Sequence, residues 1–215
     1  MDQRPLCRVC ETEMKYFSNT RNRDYYRCPN CDSIQLSELQ LLAPVNEKKR
    51  YDTHNNDIHD PGYQKFVSPI TDYILNNFKQ TDMGLDFGAG PGPVISKLLK
   101  DNHYHIKQYD PHYHPHTELL KKKYDYVVAC EVIEHFYQPK KEFELLKKLT
   151  KNHGSWIFMT DIYDDSIDFN NWYYKNDETH VIFYTKKTLQ YLKEVYSFKD
   201  LVIDKRLIIF TNTNR

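Results

Sequence analysis

The sequence predicts a doubly wound α/β sheet with a small four-cysteine module in front of it. Three observations carry that expectation. The stretch "MGLDFGAGPGPVISKLLK", residues 83 to 100, reads as a strand, a glycine loop and a helix. From residue 62 onward, strand-like apolar runs alternate with amphipathic helical ones, the pattern of a sheet with helices on both faces. Two C-x-x-C pairs, "CRVC" and "CPNC", stand within the first 31 residues.

The chain's totals narrow the function classes. A length of 215 residues suits one ordinary domain and an appendage. Thirty basic and 30 acidic residues balance to zero, so no global basic field marks a nucleic-acid binder, and only a local patch stays open. No apolar run approaches the roughly 20 residues that cross a bilayer, and "MDQRPLCRVC" lacks a signal-peptide core. A soluble, cytoplasmic protein with no membrane partner is expected. The 18 tyrosines are mostly composition bias, with some rings expected to line a site.

Residues 1–42 form the predicted module. Cys7 and Cys10 are separated from Cys28 and Cys31 by 17 residues, the spacing of a tetrahedral zinc site. The alternatives are disulfides, which fit poorly with a cytoplasmic chain, or free thiols. Between the pairs, strand-like aromatics flank the turn-prone "SNTRNR", so a hairpin is expected. Four thiolates leave no open coordination position, which makes such a metal structural. A segment this short cannot bury enough apolar surface to fold alone, and the metal would supply the missing stability. The arrangement resembles a zinc ribbon, or a rubredoxin-like knuckle pair.

Residues 43–61 read as a linker or cofactor-covering segment, and 62–215 as the main domain. There "YQKFVSPITDYILNNF" predicts a helix, "MGLDFGAG" the first strand and its loop, and "PVISKLLKDN" a helix. "YHIKQYD" and "YDYVVAC" read as strands, "KKEFELLKKLTKNHG" as a helix, and "SWIFMTD" as the next strand. "TKKTLQYLKEV" is helical, and "FKDLVID" with "RLIIFTN" form a final antiparallel pair. Ligands belong at the carboxyl ends of such strands.

The loop itself decides between cofactors. A dinucleotide site uses G-x-G-x-x-G, whereas here Gly92 falls one place early, and Pro91 and Pro93 remove two N–H donors. A phosphate loop would need Gly-Lys-Ser or Gly-Lys-Thr, which is lacking. Gly88, Ala89, Gly90 and Gly92 instead suit close backbone approach. Asp86 offers a negative charge for a ligand ammonium. Asp110 closes the second strand, 18 residues past Gly92, where it can accept two ribose hydroxyl hydrogen bonds. A nucleoside bearing a cationic amino acid fits better than a dinucleotide.

"LDFGAGPG", "YDP" and "YDYVVACEVIEHF" in that order resemble the successive motifs of class I S-adenosylmethionine-dependent methyltransferases, a Rossmann-like fold. The resemblance covers roughly residues 50 to 215. It implies that Asp86, Gly88, Gly90 and Gly92 face the methionine end of the cofactor and that Asp110 holds the ribose. The segment from Glu131 and Val132 to His135 would flank the cofactor opposite the substrate. The stretch "YDTHNNDIHDPGY", with Tyr51 and His54, occupies a region that often covers the cofactor in the family. One departure stands out. Only 14 residues separate Asp110 from Asp125, where the family fits a helix, a strand and a loop. The third strand is therefore expected to be lost or vestigial, and the adenine pocket to be built differently.

For the methyl acceptor, the resemblance excludes two classes. Amino-methylating DNA enzymes carry Asn/Asp/Ser-Pro-Pro-aromatic where this chain reads "CEVIEH", and cytosine-C5 enzymes need a Pro-Cys nucleophile. Cys130 follows an alanine and reads as a small buried residue near a strand end. "EVIEHF" resembles the small-molecule enzymes. In "NWYYKNDETHVIFYT", His180 and Tyr184 are candidate acceptor-site residues, while Trp172, Tyr173 and Phe183 read as packing. His135 and His180 are both candidates for a general base, because imidazole titrates near neutrality. His112, His114 and His116 of "HYHPH" read as a solvated loop rather than a metal site. Three functions follow: a methyltransferase for a small molecule with structural zinc, a ribosomal RNA methyltransferase with an RNA-binding ribbon, or a non-catalytic zinc-ribbon adaptor. The oligomeric state is not encoded in any of these features.

Overall fold

The structure is a computed structural model that describes residues 4–53 and 57–212. Its first element is a hairpin of β1 (Lys15–Thr20) and β2 (Arg23–Arg27), joined at Arg21 and Asn22. Both turn residues have positive φ, 54° and 59°, as a two-residue turn matched to strand twist demands. β3 (Ile34–Leu36) pairs with β2, and α1 (Pro44–Tyr51) follows. α2 (Pro61–Asn77) starts where the Asp60 carboxylate accepts from Gly62 N–H at 2.8 Å, with proline in the first turn.

The main sheet then begins with β4 (Met83–Phe87), α3 (Val94–Asp101) and β5 (His105–Tyr109). β6 (Tyr124–Cys130), α4 (Pro139–Leu149) and β7 (Thr150–Met159) continue it. After β8 (Ile182–Phe183) and α5 (Lys186–Val195), the chain closes with β9 (Asp200–Asp204) and β10 (Leu207–Thr211). The strand order is β5-β4-β6-β7-β10-β9, parallel through β7 and antiparallel in the last pair. The chain leaves β4 to one side and returns to the other at β6. That switch opens a crevice at the strands' carboxyl ends.

Period-two alternation separates two cores. Tyr126, Val128 and Ile157 pack with α2 and α3, while Val127, Trp156 and Phe158 pack with α4 and α5. Between β5 and β6 only an Asp110–His114 bridge and a short 3-10 turn occur, so β5 is the sheet edge and the third strand is gone. One boundary differs from the sequence reading. The helix expected to reach Gly154 stops at Leu149, because Thr150 belongs to the sheet: its hydroxyl accepts from Trp156 Nε1 at 2.9 Å and donates to Leu146 O. Thr150 and Ser155 oppose Tyr124 and Tyr126, so residues 151–154 bulge out.

The N-terminal sheet runs β1-β2-β3-β8, taking its last strand from the main domain. Cys7, Cys28, Cys31 and Ile34 sit in the same core as Phe143 and Trp156. The small module thus leans on the large one for its apolar burial. Among the described residues no helix is long and apolar enough to cross a membrane.

Candidate functional site

At the crevice lies a cavity of about 980 Å³, at the top of the range for ligand sites. One end is made of the glycine loop. Gly88 and Ala89 N–H both donate to Tyr109 O, at 2.8 and 3.2 Å, tying the loop to the end of β5. Gly88 and Gly90 have φ of 75° and 63°, where a side chain is strained. A Cβ on Gly88 would also meet Val132 Cγ2 at 2.6 Å, so the loop and the segment after β6 press together. Asp86, Gly88, Ala89, Gly90, Gly92 and Asp110 all line the cavity.

The two carboxylates differ in environment. Asp86 is buried, and its Oδ2 accepts from Ser96 Oγ at 2.7 Å. Burial raises its pKa to about 6, against that hydrogen bond. Asp110 is already partnered by the backbone: Oδ2 accepts from Gly90 N–H at 3.0 Å, and Oδ1 from His112 and Tyr113 N–H at 2.8 and 3.1 Å. A carboxylate offers about four acceptor positions, so roughly one remains, on Oδ2, rather than the two expected for ribose.

The opposite end is a side-chain network. Glu131, Val132 and His135 line it from the segment after β6, and His180 from the approach to β8. Glu131 has φ 53°, a strained position for a glutamate and one of the kind that clusters at functional sites. Its Oε2 accepts from Arg206 Nη2 at 2.6 Å. The Tyr174 hydroxyl donates to Glu134 Oε1, lies 3.1 Å from Glu131 Oε2, and is 2.9 Å from Thr160 Oγ1. Burial raises Glu131 to about 8, helped by the Glu134 charge, and burial raises Glu134 to about 7.

The imidazoles depart from expectation. His135 Nδ1 meets Thr179 O at 2.9 Å and His180 Nδ1 meets Tyr174 O at 2.7 Å, with ring centroids 4.8 Å apart. Burial lowers His135, and burial with the neighbouring His135 takes His180 down to about 3. Both are lowered from the ordinary imidazole value, because desolvation outweighs the carbonyl hydrogen bonds. Tyr184 stands outside the cavity: it is fully buried and its hydroxyl donates to Ile133 O at 2.8 Å, bracing the turn that carries Glu134 and His135. Tyr173, read as packing, is exposed at the cavity rim and donates to Asp161 Oδ2. Trp172 and Phe183 are packing residues. Cys130 is half-buried and reaches the cavity wall.

Tyr51 on α1 roofs the cavity, its ring edge-on to His135 at 5.3 Å and its hydroxyl donating to Glu47 Oε1. His54, with Asn55 and Asn56, lies outside the described residues. Among the described residues, neither group with metal-ligand spacing includes His112, His114 or His116. Tyr174 and Arg206 escaped sequence reading, and Glu134 was covered only as part of the Glu131–His135 segment, with no role of its own. "EVIEHF" held a signal for Glu134, whereas nothing in "DKRLII" singles out Arg206.

The four cysteines form a separate centre. Their sulfurs lie within 4.8 Å of one another, with Cys7–Cys31 at 3.5 Å and Cys10–Cys28 at 3.4 Å. Zinc–sulfur bonds of about 2.3 Å place tetrahedral sulfurs about 3.8 Å apart, so the donor set and spacing fit such an ion. Gln35 Nε2 donates to Cys7 Sγ at 3.1 Å, and Cys31 N–H to Cys28 Sγ at 3.4 Å, contacts that suit thiolates.

The methyltransferase-domain family matches residues 60–201, about two thirds of the chain. A 1,6-didemethyltoxoflavin-N1-methyltransferase of Burkholderia thailandensis, solved with 1,6-didemethyltoxoflavin and S-adenosylhomocysteine bound, superposes with a TM-score of 0.51 at 12% identity. The match covers 92% of this chain and 97% of that one. An O-methyltransferase family protein of the same organism gives 0.51 at 10% identity, over 76% of this chain and 61% of its own. At such identities the likeness is one of fold. A search of curated proteins finds no match. The family match, with the glycine loop and the sheet order around it, makes this chain a member of the class I S-adenosylmethionine-dependent methyltransferases.

Proposed function

We propose that this methyltransferase acts on a small-molecule acceptor and that its N-terminal module holds structural zinc. The observation that carries the reading is one continuous cavity of about 980 Å³, which joins the glycine loop at one end to a buried polar cluster at the other. S-adenosylmethionine supplies the activated methyl group. In this reading Gly88 to Gly92 accommodate it by close backbone approach, Asp86 meets its ammonium, and Asp110 takes one ribose hydroxyl. Glu131 and Val132 flank it, and Tyr51 covers it with the 43–61 segment. The acceptor lies against His135 and His180, held neutral, and catalysis is chiefly alignment of the two reactants. Zinc on Cys7, Cys10, Cys28 and Cys31 would steady the 1–42 module, which in turn anchors the 62–215 domain's β8.

An RNA acceptor would need free cations on the ribbon. Arg23 instead spends its guanidinium on the carbonyls of Lys175, Asp177 and Glu178, and Arg27 on Asp32 and Asp165. Arg23 and, through Asp165, Arg27 thus tie the module to the domain, while Lys15 and Arg21 stay exposed on it, so the cavity rather than the ribbon's charge favours the small molecule. The test is a metabolite screen with labelled S-adenosylmethionine, alongside calorimetry with S-adenosylhomocysteine. The protein should bind that product, and Gly90→Val should lose it, because a side chain is strained at φ 63° and fills the ligand's approach. Label transferred to RNA in a salt-sensitive way, and to no metabolite, would overturn the acceptor class.

A further inference from the structure

We propose that Glu134, His135 and His180 form a second metal site, for a divalent first-row transition ion, at the acceptor end of the cavity. Each of the three offers one ligand atom, and those atoms lie within 4.8 Å of one another. They come from two segments far apart in sequence, the turn after β6 and the approach to β8. The tie between Val181 N–H and Glu134 O, 2.9 Å, holds those segments together.

The outer contacts of the rings are those of metal ligands. His135 and His180 each commit Nδ1 to a backbone carbonyl, Thr179 O and Tyr174 O. A carbonyl only accepts, so Nδ1 carries the proton and Nε2 presents a lone pair. Ligating histidines are oriented in this manner, the outer N–H fixing the tautomer and the ring. Glu134 supplies an independent sign. It is fully buried, Oε1 is taken by Tyr174, and Oε2 has no hydrogen-bond partner. A neighbouring carboxylate oxygen, Glu131 Oε1, is buried without a partner as well. An unsatisfied buried oxygen is costly, and a cation held by Glu134, His135 and His180 removes that cost at Glu134 Oε2, with Glu131 outside the ligand group.

The ligand set also selects the ion. Two imidazoles and one carboxylate leave positions open, unlike the closed four-thiolate cage. Magnesium and calcium prefer all-oxygen sets, whereas mixed imidazole and carboxylate sites take first-row transition ions. Both histidines line the cavity, so the open positions face the place given above to the acceptor. The inference rests on the methyltransferase reading and sharpens it: the acceptor class is a small molecule whose hydroxyl oxygen can join the ion.

The test uses Mn²⁺, a paramagnetic first-row ion that carboxylate and water ligands suit and thiolate cages do not. Protein carrying one zinc per chain is titrated with Mn²⁺, following loss of the free-ion paramagnetic resonance signal, with S-adenosylhomocysteine present. One equivalent should bind. His180→Gln and Glu134→Gln should each weaken binding by more than the roughly 10–100-fold that losing an outer-shell partner costs. Zinc content and S-adenosylhomocysteine affinity report that each variant is folded. Protein that binds S-adenosylhomocysteine but no Mn²⁺, or His180→Gln with unchanged Mn²⁺ affinity, overturns the metal site and leaves the methyltransferase reading standing. Failure to bind S-adenosylhomocysteine would instead overturn the reading beneath it.

Discussion

The two ends of the cavity are built by opposite means. The end proposed for the cofactor is mostly backbone from short contiguous runs: the loop from Asp86 to Val94, and the close of β5 from Tyr109 to Tyr113. The acceptor end gathers side chains from Glu131 to His135, Thr160, Tyr174 to His180 and Arg206. It depends on a third body too. Arg8, from the first cysteine knuckle, donates to Val181 O at 2.7 Å and Tyr137 O at 3.3 Å, on either side of the polar cluster. A backbone-made site survives small shifts of its neighbours. A site made of converging side chains inherits every error in the elements that carry them.

Breaking the cysteine cage tests that contrast most severely. Cys28→Ser should cost the module the zinc proposed for it, free β3 from β8, and let His180 drift from His135. A misplacement of about 1 Å can cost roughly 10²-fold in turnover, and at least that is expected here. The glycine loop lies on the far side of the cavity, so S-adenosylhomocysteine affinity should stay near wild type. Calorimetry and turnover on the same preparation separate the two ends. Parallel loss of both would show that the module supports the whole fold and not one wall.

The same contrast explains what could be read in the sequence. Asp86, Gly88, Gly90 and Asp110 stand within one strand-loop-helix unit and the next strand end, where local spacing fixes position. The loss of the third strand was legible because 14 residues cannot hold a helix, a strand and a loop. The four-cysteine cluster was legible because two C-x-x-C pairs at this spacing can bring four sulfurs together. Tyr174 and Arg206 were not, since only the pairing of β10 with β7 brings Arg206 beside Glu131. Tyr184 misled for a related reason. It lies just past β8, fully buried with its hydroxyl spent on Ile133 O, while His180, ahead of the strand, lines the cavity. The depressed histidines needed burial, which spacing alone does not state.

A narrower test sits at the cofactor end. Asp110→Ala removes a carboxylate that receives three backbone N–H groups and orders the loop around Gly90. Affinity for S-adenosylhomocysteine should fall by about 1.5–3 kcal/mol, the range for hydrogen bonds to a charged group. Turnover at saturating cofactor should fall much less, because the acceptor wall is untouched. If saturating cofactor fails to restore the rate, the two ends are coupled more tightly than their construction suggests.

The smallest effect is one of pH, and it concerns Asp86. Burial raises its pKa from 3.8 to about 6. Between those values the native state holds a proton that the unfolded chain has released, so this group's contribution to stability falls as pH rises through the window. Binding runs the other way. S-adenosylhomocysteine brings an ammonium, which favours the ionised carboxylate, so affinity should rise with pH up to about 6 and then level. One proton linked to binding limits the slope to about tenfold per pH unit. Asp86→Asn should bind more weakly and show no slope between pH 5 and 6.5, measured by calorimetry. Glu134 and Glu131, raised to about 7 and 8, titrate above that range and at the other end of the cavity. A slope that survives in Asp86→Asn between pH 5 and 6.5 would therefore belong to neither glutamate, and Asp86 would no longer stand as the group whose ionisation cofactor binding requires.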